Sequence, residues 1–197
     1  MLILGDVLAK AGDPTGSESQ AGAAVYFSFQ WVLILAAATI HVVVDRRRHP
    51  ERRHTGRIAE LYLVWILAFG GAWAITGGIS HISGQSDELA ESIGYTQSMF
   101  QWEVGWADIG IGVLGFVCIW KRNSWMTAAV VMLAVSYWGD AIGHIVQWAK
   151  HSNTEPSNVW AIPSDILGPL AAILLLIYVR RLANATSGRG RVTRTAG

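Results

Sequence analysis

Five apolar runs, 21–44, 59–81, 99–120, 125–148 and 160–179, are each long enough to cross a bilayer as helix, since the hydrocarbon core takes about 20 helical residues. Within a bilayer the backbone must satisfy its own N–H and C=O groups, and single runs of this length do so as α-helices. With 52% of its 197 residues apolar, the chain is expected to be all-α, a polytopic bundle of five transmembrane spans with little left for a soluble domain. The expected division is an exposed N-terminal tail over 1–20, a five-helix membrane domain over 21–181 and a cytoplasmic tail over 182–197. That last segment ends in the Gly- and Arg-rich text SGRGRVTRTAG, too poor in apolar side chains to be expected to order itself. Residues 1–20 show no basic stretch followed by an apolar core and a small-residue cleavage site, so no removable signal peptide is expected.

Basic residues flanking a span stay on the cytoplasmic side. Alternate connections hold Arg46, Arg47, Arg48, Arg52, Arg53 and Arg57, then Lys121 and Arg122, then five arginines from Arg180 onward, thirteen of the fifteen basic residues. The other side keeps Lys10 and Lys150, and its 82–98 loop carries Asp87, Glu88 and Glu91. This places the N-terminus outside and the C-terminus inside the cytoplasmic (inner) membrane. Trp102, Trp120, Trp125, Trp148 and Trp160 fall at span boundaries, where the headgroup layer favours indole rings. The one cysteine, Cys118, has no internal disulfide partner and is expected to pack. The RRRHPERRH link suits anionic lipid headgroups as well as it suits a topology signal.

Glu103, Asp108, Asp140, Asp165 and His144 lie inside these apolar runs, and no lysine or arginine does. A charge at the centre of a membrane helix costs about 2.5–3.5 kcal/mol on the mildest scale, so these groups must be protonated, paired with histidine or bound to a cation. At about 1.5 Å per residue, Asp108 falls near the midplane. Asp140, Asp165, Glu103, His144 and finally His81 step outward from it. Asp140, Gly143, His144 and Gln147 share one helical face, as do Gly105, Asp108, Gly112 and Gly115. Small residues mark close helix contact, so Asp108 is expected to point at a neighbouring helix. Glu103 aligns instead with Ala107 and Gly110, which suggests that the third span is central. Pro169 frees the carbonyl of Asp165, a cation-binding element, although Pro163, Ser164 and Asp165 equally fit a helix start. Glu103 has a similar alternative, because Ser98 with Gln101 resembles a capping box.

The second and fourth spans end in GGISHIS and DAIGHIVQ, and the third and fifth carry WADIGIG and PSDILGP. This is the trace a duplicated helical hairpin would leave, pairing His81 and Asp108 with His144 and Asp165.

Histidines with carboxylates are the ligand inventory of iron, manganese or zinc sites on facing helices. The spacing is less specific, since Asp140-x-x-x-His144 stands where di-iron bundles carry Glu-x-x-His. On this reading Asp140 and His144 are ligands of a divalent metal together with Glu103 or Asp108, with His81 and Asp165 as further candidates. Such a metal would activate water or oxygen against a lipid-like or small apolar substrate arriving from the membrane. Acids and histidines strung from midplane to surface also relay protons or cations in transporters, but nothing comparable continues from Asp108 to the cytoplasmic side, so the set is expected to line a buried cavity opening to the outer face rather than a through-path. A third reading is a stabilising polar network in a structural subunit of a membrane complex, although interhelical polar contacts contribute only about 0.6 kcal/mol each. Whether the chain is an enzyme stays open. No nucleotide loop, nucleophile elbow or zinc-protease motif is present. The arginines sit where topology requires them, so membrane lipids are expected partners and nucleic acid is not.

The stretch SIGYTQSMFQWEVGWADIGIGVLG, followed by GDAIGHIVQ and SDILGP, resembles an uncharacterised family of small prokaryotic integral-membrane proteins. More loosely it resembles the DoxX-like four-helix membrane proteins, from which the His/carboxylate set departs. The resemblance covers about residues 58–180 and leaves the first span as an addition. It implies a helix bundle in a membrane and carries no activity.

Overall fold

The computed structural model describes the backbone of residues 17–195 and the side chains of residues 20–185. The segments expected as tails, 1–20 and 182–197, lie mostly outside the residues whose side chains are described. Six α-helices and one short 3-10 turn, Pro50–Arg52, make up the fold, with no strand among the described residues. The helices are α1 (Ser17–Arg48), α2 (Thr55–Ile82), α3 (Ser86–Ser92), α4 (Phe100–Val117), α5 (Ser124–His151) and α6 (Pro156–Thr195). Four of them, α1, α2, α5 and α6, are long and apolar enough to cross a membrane. The fifth long helix, α4, has 18 residues, about 27 Å at 1.5 Å each, and carries Glu103 and Asp108 in its N-terminal half.

Helix α2 is the centre of the bundle and touches α1, α4 and α6. This corrects the expectation that the third span is central. Only one face of α4 is covered: Gly105, Gly112 and Gly115 are buried, whereas Glu103, Ala107 and Gly110 are exposed. The covered face meets α2 backbone to backbone. A Cβ at Gly71 would stand 2.6 Å from the Gly112 carbonyl oxygen, and one at Gly78 would stand 2.5 Å from that of Gly105. Pairing 78 with 105 and 71 with 112 makes the two helices antiparallel, zipped along small residues where lipid supplies no hydrophobic drive for association.

The core lies toward one end, where Leu63, Val64, Leu67, Cys118, Met126, Val130, Leu133 and Ala172 are buried together. The Cys118 thiol points back to the Leu114 carbonyl at 3.4 Å, in keeping with a packing role. Large apolar side chains such as Val32, Leu35, Ile40, Val135 and Leu174 face outward, as the lipid-facing side of a membrane bundle would have them.

The basic connections meet at that same end. Arg57 holds the Asp45 carboxylate with two nitrogens, at 3.2 and 2.7 Å. Arg57 also reaches Glu60 at 3.0 Å, and Arg122 grips the other Glu60 oxygen at 2.8 Å. Arg180 donates to the Asn123 carbonyl at 2.6 Å and to the Thr127 hydroxyl at 2.9 Å. The α1–α2 link, the α4–α5 link and the late turns of α6 are thus stapled together. At the opposite end Trp160 donates to Gln20 at 3.0 Å, and Asn153 donates to the Ser92 carbonyl at 3.2 Å. The chain therefore alternates between two ends, one basic and one not, as the distribution of arginines requires.

Candidate functional site

The acids and histidines of interest gather in the half of the bundle away from the arginines. His144 on α5 is the best defined. Asn158, in the first turn of α6 and fully buried, uses its Nδ2 as donor to the carbonyls of His144 and Asn153, both at 3.2 Å. With Nδ2 engaged in this way, Asn158 Oδ1 is left as an acceptor. It takes the Nδ1–H of His144 at 2.8 Å. The tautomer is thereby set, because a neutral imidazole that donates from Nδ1 keeps its lone pair on Nε2. That Nε2 faces the Asp165 carboxylate on α6 at 3.9 Å.

His81, at the end of α2, repeats the arrangement: its Nδ1 meets Gln101 Oε1 at the start of α4. Gln101 stands seven residues before Asp108, as Asn158 stands seven before Asp165. Each hairpin thus carries a histidine near the end of its first helix, an amide oxygen on the ring, and an aspartate two turns further along its second helix. The two halves differ in how they close, since α2 and α4 meet along glycines whereas Gly139, Gly143 and Gly168 of the second hairpin meet no backbone neighbour within 4 Å.

Asp140 connects the halves. It lies close enough to interact electrostatically with Asp108, Asp165, His81 and His144. Helices α4 and α5 touch only sparsely, and Asp140 is exposed in the isolated chain. The face shared by Asp140, Gly143, His144 and Gln147 does form, and the loop after α3 covers it. Gly94, at φ +79°, turns that loop so that its carbonyl accepts from Gln147 at 3.2 Å. The next residue, Tyr95, places its hydroxyl where a Cβ on Gly143 would stand. Burial first, and the charge of Asp140 second, hold the Tyr95 phenol above its ordinary value, so it stays a neutral O–H group over the site.

Asp165 also lines a small cavity of about 40 Å³ between α1, α2, α5 and α6, together with Gln30, Trp73, Tyr137 and Ser164. Trp73 Nε1 there is the one buried side-chain polar atom without a hydrogen-bond partner among the described residues. A cavity of this size has room for one water. Helix α6 begins at Pro156, not at Pro163, so Asp165 lies more than two turns inside the helix and is no first-turn capping acid. Glu103 has the opposite fate. It is an exposed first-turn acid of α4 with no ion pair among the described residues, in keeping with its position at the positive end of the helix dipole.

The fold brings all the expected metal ligands, Asp108, Asp140, Asp165, His81, His144 and Glu103, to one half of the bundle but leaves Glu103 exposed on the uncovered face of α4. Among the described residues no three His, Cys, Asp or Glu side chains converge as ligands of one ion would. Asp140 and His144 share a face, yet the His144 ring is turned toward Asn158 and Asp165 on α6. Sequence reasoning missed Asn158 and the pairing of Gln101 with His81, having read Gln101 as part of a helix cap, and it missed Tyr95 and Tyr137 as parts of this region. The shared seven-residue offset from amide to aspartate was the available signal for the first two.

A helical bundle with four helices able to cross a membrane, and with carboxylates and imidazoles gathered between them, defines an integral-membrane class of protein. Within that class the chain belongs to DUF6790, a family of unknown function that matches residues 24–185. The match takes in α1, so the first long helix is part of the family and not an addition to it. No curated protein and no solved structure matches the chain, and the DoxX-like likeness gains no support.

Proposed function

We propose that the chain is a five-span protein of the cytoplasmic membrane, N-terminus outside and C-terminus inside, that takes up and releases protons at a carboxylate–imidazole site facing outward, as part of a proton-coupled transport process. The antiparallel seam between α2 and α4 supports the fifth span. A helix fixed along most of its length to a crossing neighbour crosses with it. The ends at which the arginines collect support the orientation.

The observation that carries the reading is the Asn158-set tautomer of His144, with the Nε2 lone pair directed at Asp165 3.9 Å away. A proton on Asp165 and a lone pair on Nε2 form one state; a carboxylate beside an imidazolium forms the other. Transfer between them moves one proton across one contact and leaves the net charge of the pair unchanged. Asp140 and Asp108 extend this pair toward the midplane, with no lysine or arginine to hold them as fixed anions. Toward the inside the chain is closed by apolar packing and the Asp45–Arg57–Glu60–Arg122 network, so exchange is with the outer face.

Infrared difference spectra between acid and alkaline buffer test this. A protonated-carboxyl band that disappears in Asp165→Asn, with an imidazole band altered in His144→Gln, is the expected result. Identical spectra for wild type and a folded Asp165→Asn variant would overturn it. Metal analysis of the purified protein bears on the competing reading. One equivalent of iron, manganese or zinc, lost in a folded Asp140→Ala/His144→Ala variant, would replace proton exchange with metal chemistry.

A further inference from the structure

A second cavity, of about 790 Å³, opens at the other end of the molecule between the start of α2, the start of α5 and the later turns of α6. Its volume is within the range of sites that hold organic ligands, about 300–1,000 Å³. Met126, Leu176, Val179 and Leu182 give it apolar walls, and His54 and Arg180 stand on its margin.

Arg180 is half-buried, and its Nη2 is fixed to the Asn123 carbonyl and the Thr127 hydroxyl. Among the described residues its Nε and Nη1 make no hydrogen bond and no carboxylate pairs with it. A guanidinium held in place, half out of water and without an anion, is a preorganised receptor for one. His54 adds a donor. Its Nδ1 accepts the Arg57 backbone N–H at 3.2 Å, which leaves the proton of the neutral ring on Nε2. Glu60 also borders the cavity, but Arg57 and Arg122 hold both of its oxygens, so its charge is already met.

We infer that this cavity binds one anionic phospholipid of the inner leaflet, its phosphate held by Arg180 and His54 and an acyl chain lying against Met126, Leu176 and Val179. Apolar walls topped by an unpaired cation match an amphiphile with a negative head. A soluble anion would leave the walls unused, and a zwitterionic lipid would bring its own cation to the arginine. The site is separate from the region proposed for proton exchange, and only its assignment to the inner leaflet rests on the proposed orientation.

Native mass spectrometry of the full chain in detergent, titrated with phosphatidylglycerol or phosphatidylcholine of the same acyl composition, tests the inference. The expected result is a single retained phosphatidylglycerol, with Arg180→Gln weakening it about tenfold, the scale of one charge-assisted contact. Arg181→Gln, one residue away and exposed, should leave it unchanged. Val179→Trp, which fills the cavity and keeps the arginine, should abolish retention and guards against an Arg180 variant that fails to fold. Equal retention of the two lipids, equal losses in the Arg180 and Arg181 variants, or undiminished binding to Val179→Trp would each overturn the inference.

Discussion

Asn158 does more for the half of the bundle away from the arginines than any carboxylate there, because one fully buried amide serves three partners. Leucine at this position keeps much of the volume and removes all three hydrogen bonds, which takes the Nδ1 partner from His144 and one donor from each of two carbonyls. Asn158→Leu should therefore lower stability by about 1–3 kcal/mol, read as an earlier thermal transition in detergent, and should free the His144 tautomer. A ring-nitrogen NMR spectrum that keeps the wild-type protonation pattern would contradict the role given to Asn158. Arg57 is the counterpart at the other end. Its loss leaves Asp45, only 6% exposed, as a buried carboxylate without its guanidinium, so Arg57→Gln should cost about 3–5 kcal/mol. Exposed Arg52, paired only with a surface glutamate at 3.5 Å, should tolerate the same change, and comparison of their unfolding midpoints separates the two cases. The residues that bear charge were legible in the sequence because an acid in an apolar run is conspicuous. Asn158 was not, because a neutral amide near a helix start looks like ordinary capping chemistry until its partners are known.

Among the elements, the α2–α4 seam sets the geometry in which His81 and Asp108 stand. Gly71→Ala would drive a methyl to 2.6 Å from a backbone oxygen that has no rotamer with which to yield. The helices must separate, at a cost of about 1–3 kcal/mol for overpacking. Gly110→Ala, on the exposed side of α4 with nothing within 4 Å of the added atom, should be neutral or stabilising, since alanine is the better helix former. Thermal unfolding of the two variants side by side checks this, and equal effects would count against the seam. The glycine face was readable from its periodicity. The centrality of α2 was not, because α2 shows no comparable contrast between faces: its small and large residues are both buried against several neighbours. The amphipathic pattern of α4 invited a role on two sides, whereas its second face, Glu103, Ala107 and Gly110, faces outward.

For the molecule as a whole, the crossing of α4 decides the topology. Four helices are apolar enough to cross by composition alone, and α4 is weakened by the polar groups that make it interesting. If α4 crosses, residue 88 in the short helix α3 and residue 121 just beyond α4 lie on opposite sides of the membrane. If α4 stays on one side, they lie together. Glu88 and Lys121 are both exposed, so a cysteine at either position is open to reagent. Cys118, fully buried, should remain silent and serves as an internal control. In spheroplasts with an intact membrane, a thiol reagent that cannot cross should label Glu88→Cys at once and Lys121→Cys only after permeabilisation. Labelling of both without permeabilisation would reduce the bundle to four spans and move Lys121 and Arg122 of the α4–α5 link to the outer side. That outcome is difficult to reconcile with the Arg122–Glu60 contact of 2.8 Å, which ties this link to the end of the bundle where the arginines of the α1–α2 link collect. The proposed proton exchange and lipid binding rest on the same topology, since opposite ends of one bundle can face opposite leaflets only if the helices between them run the full depth of the membrane.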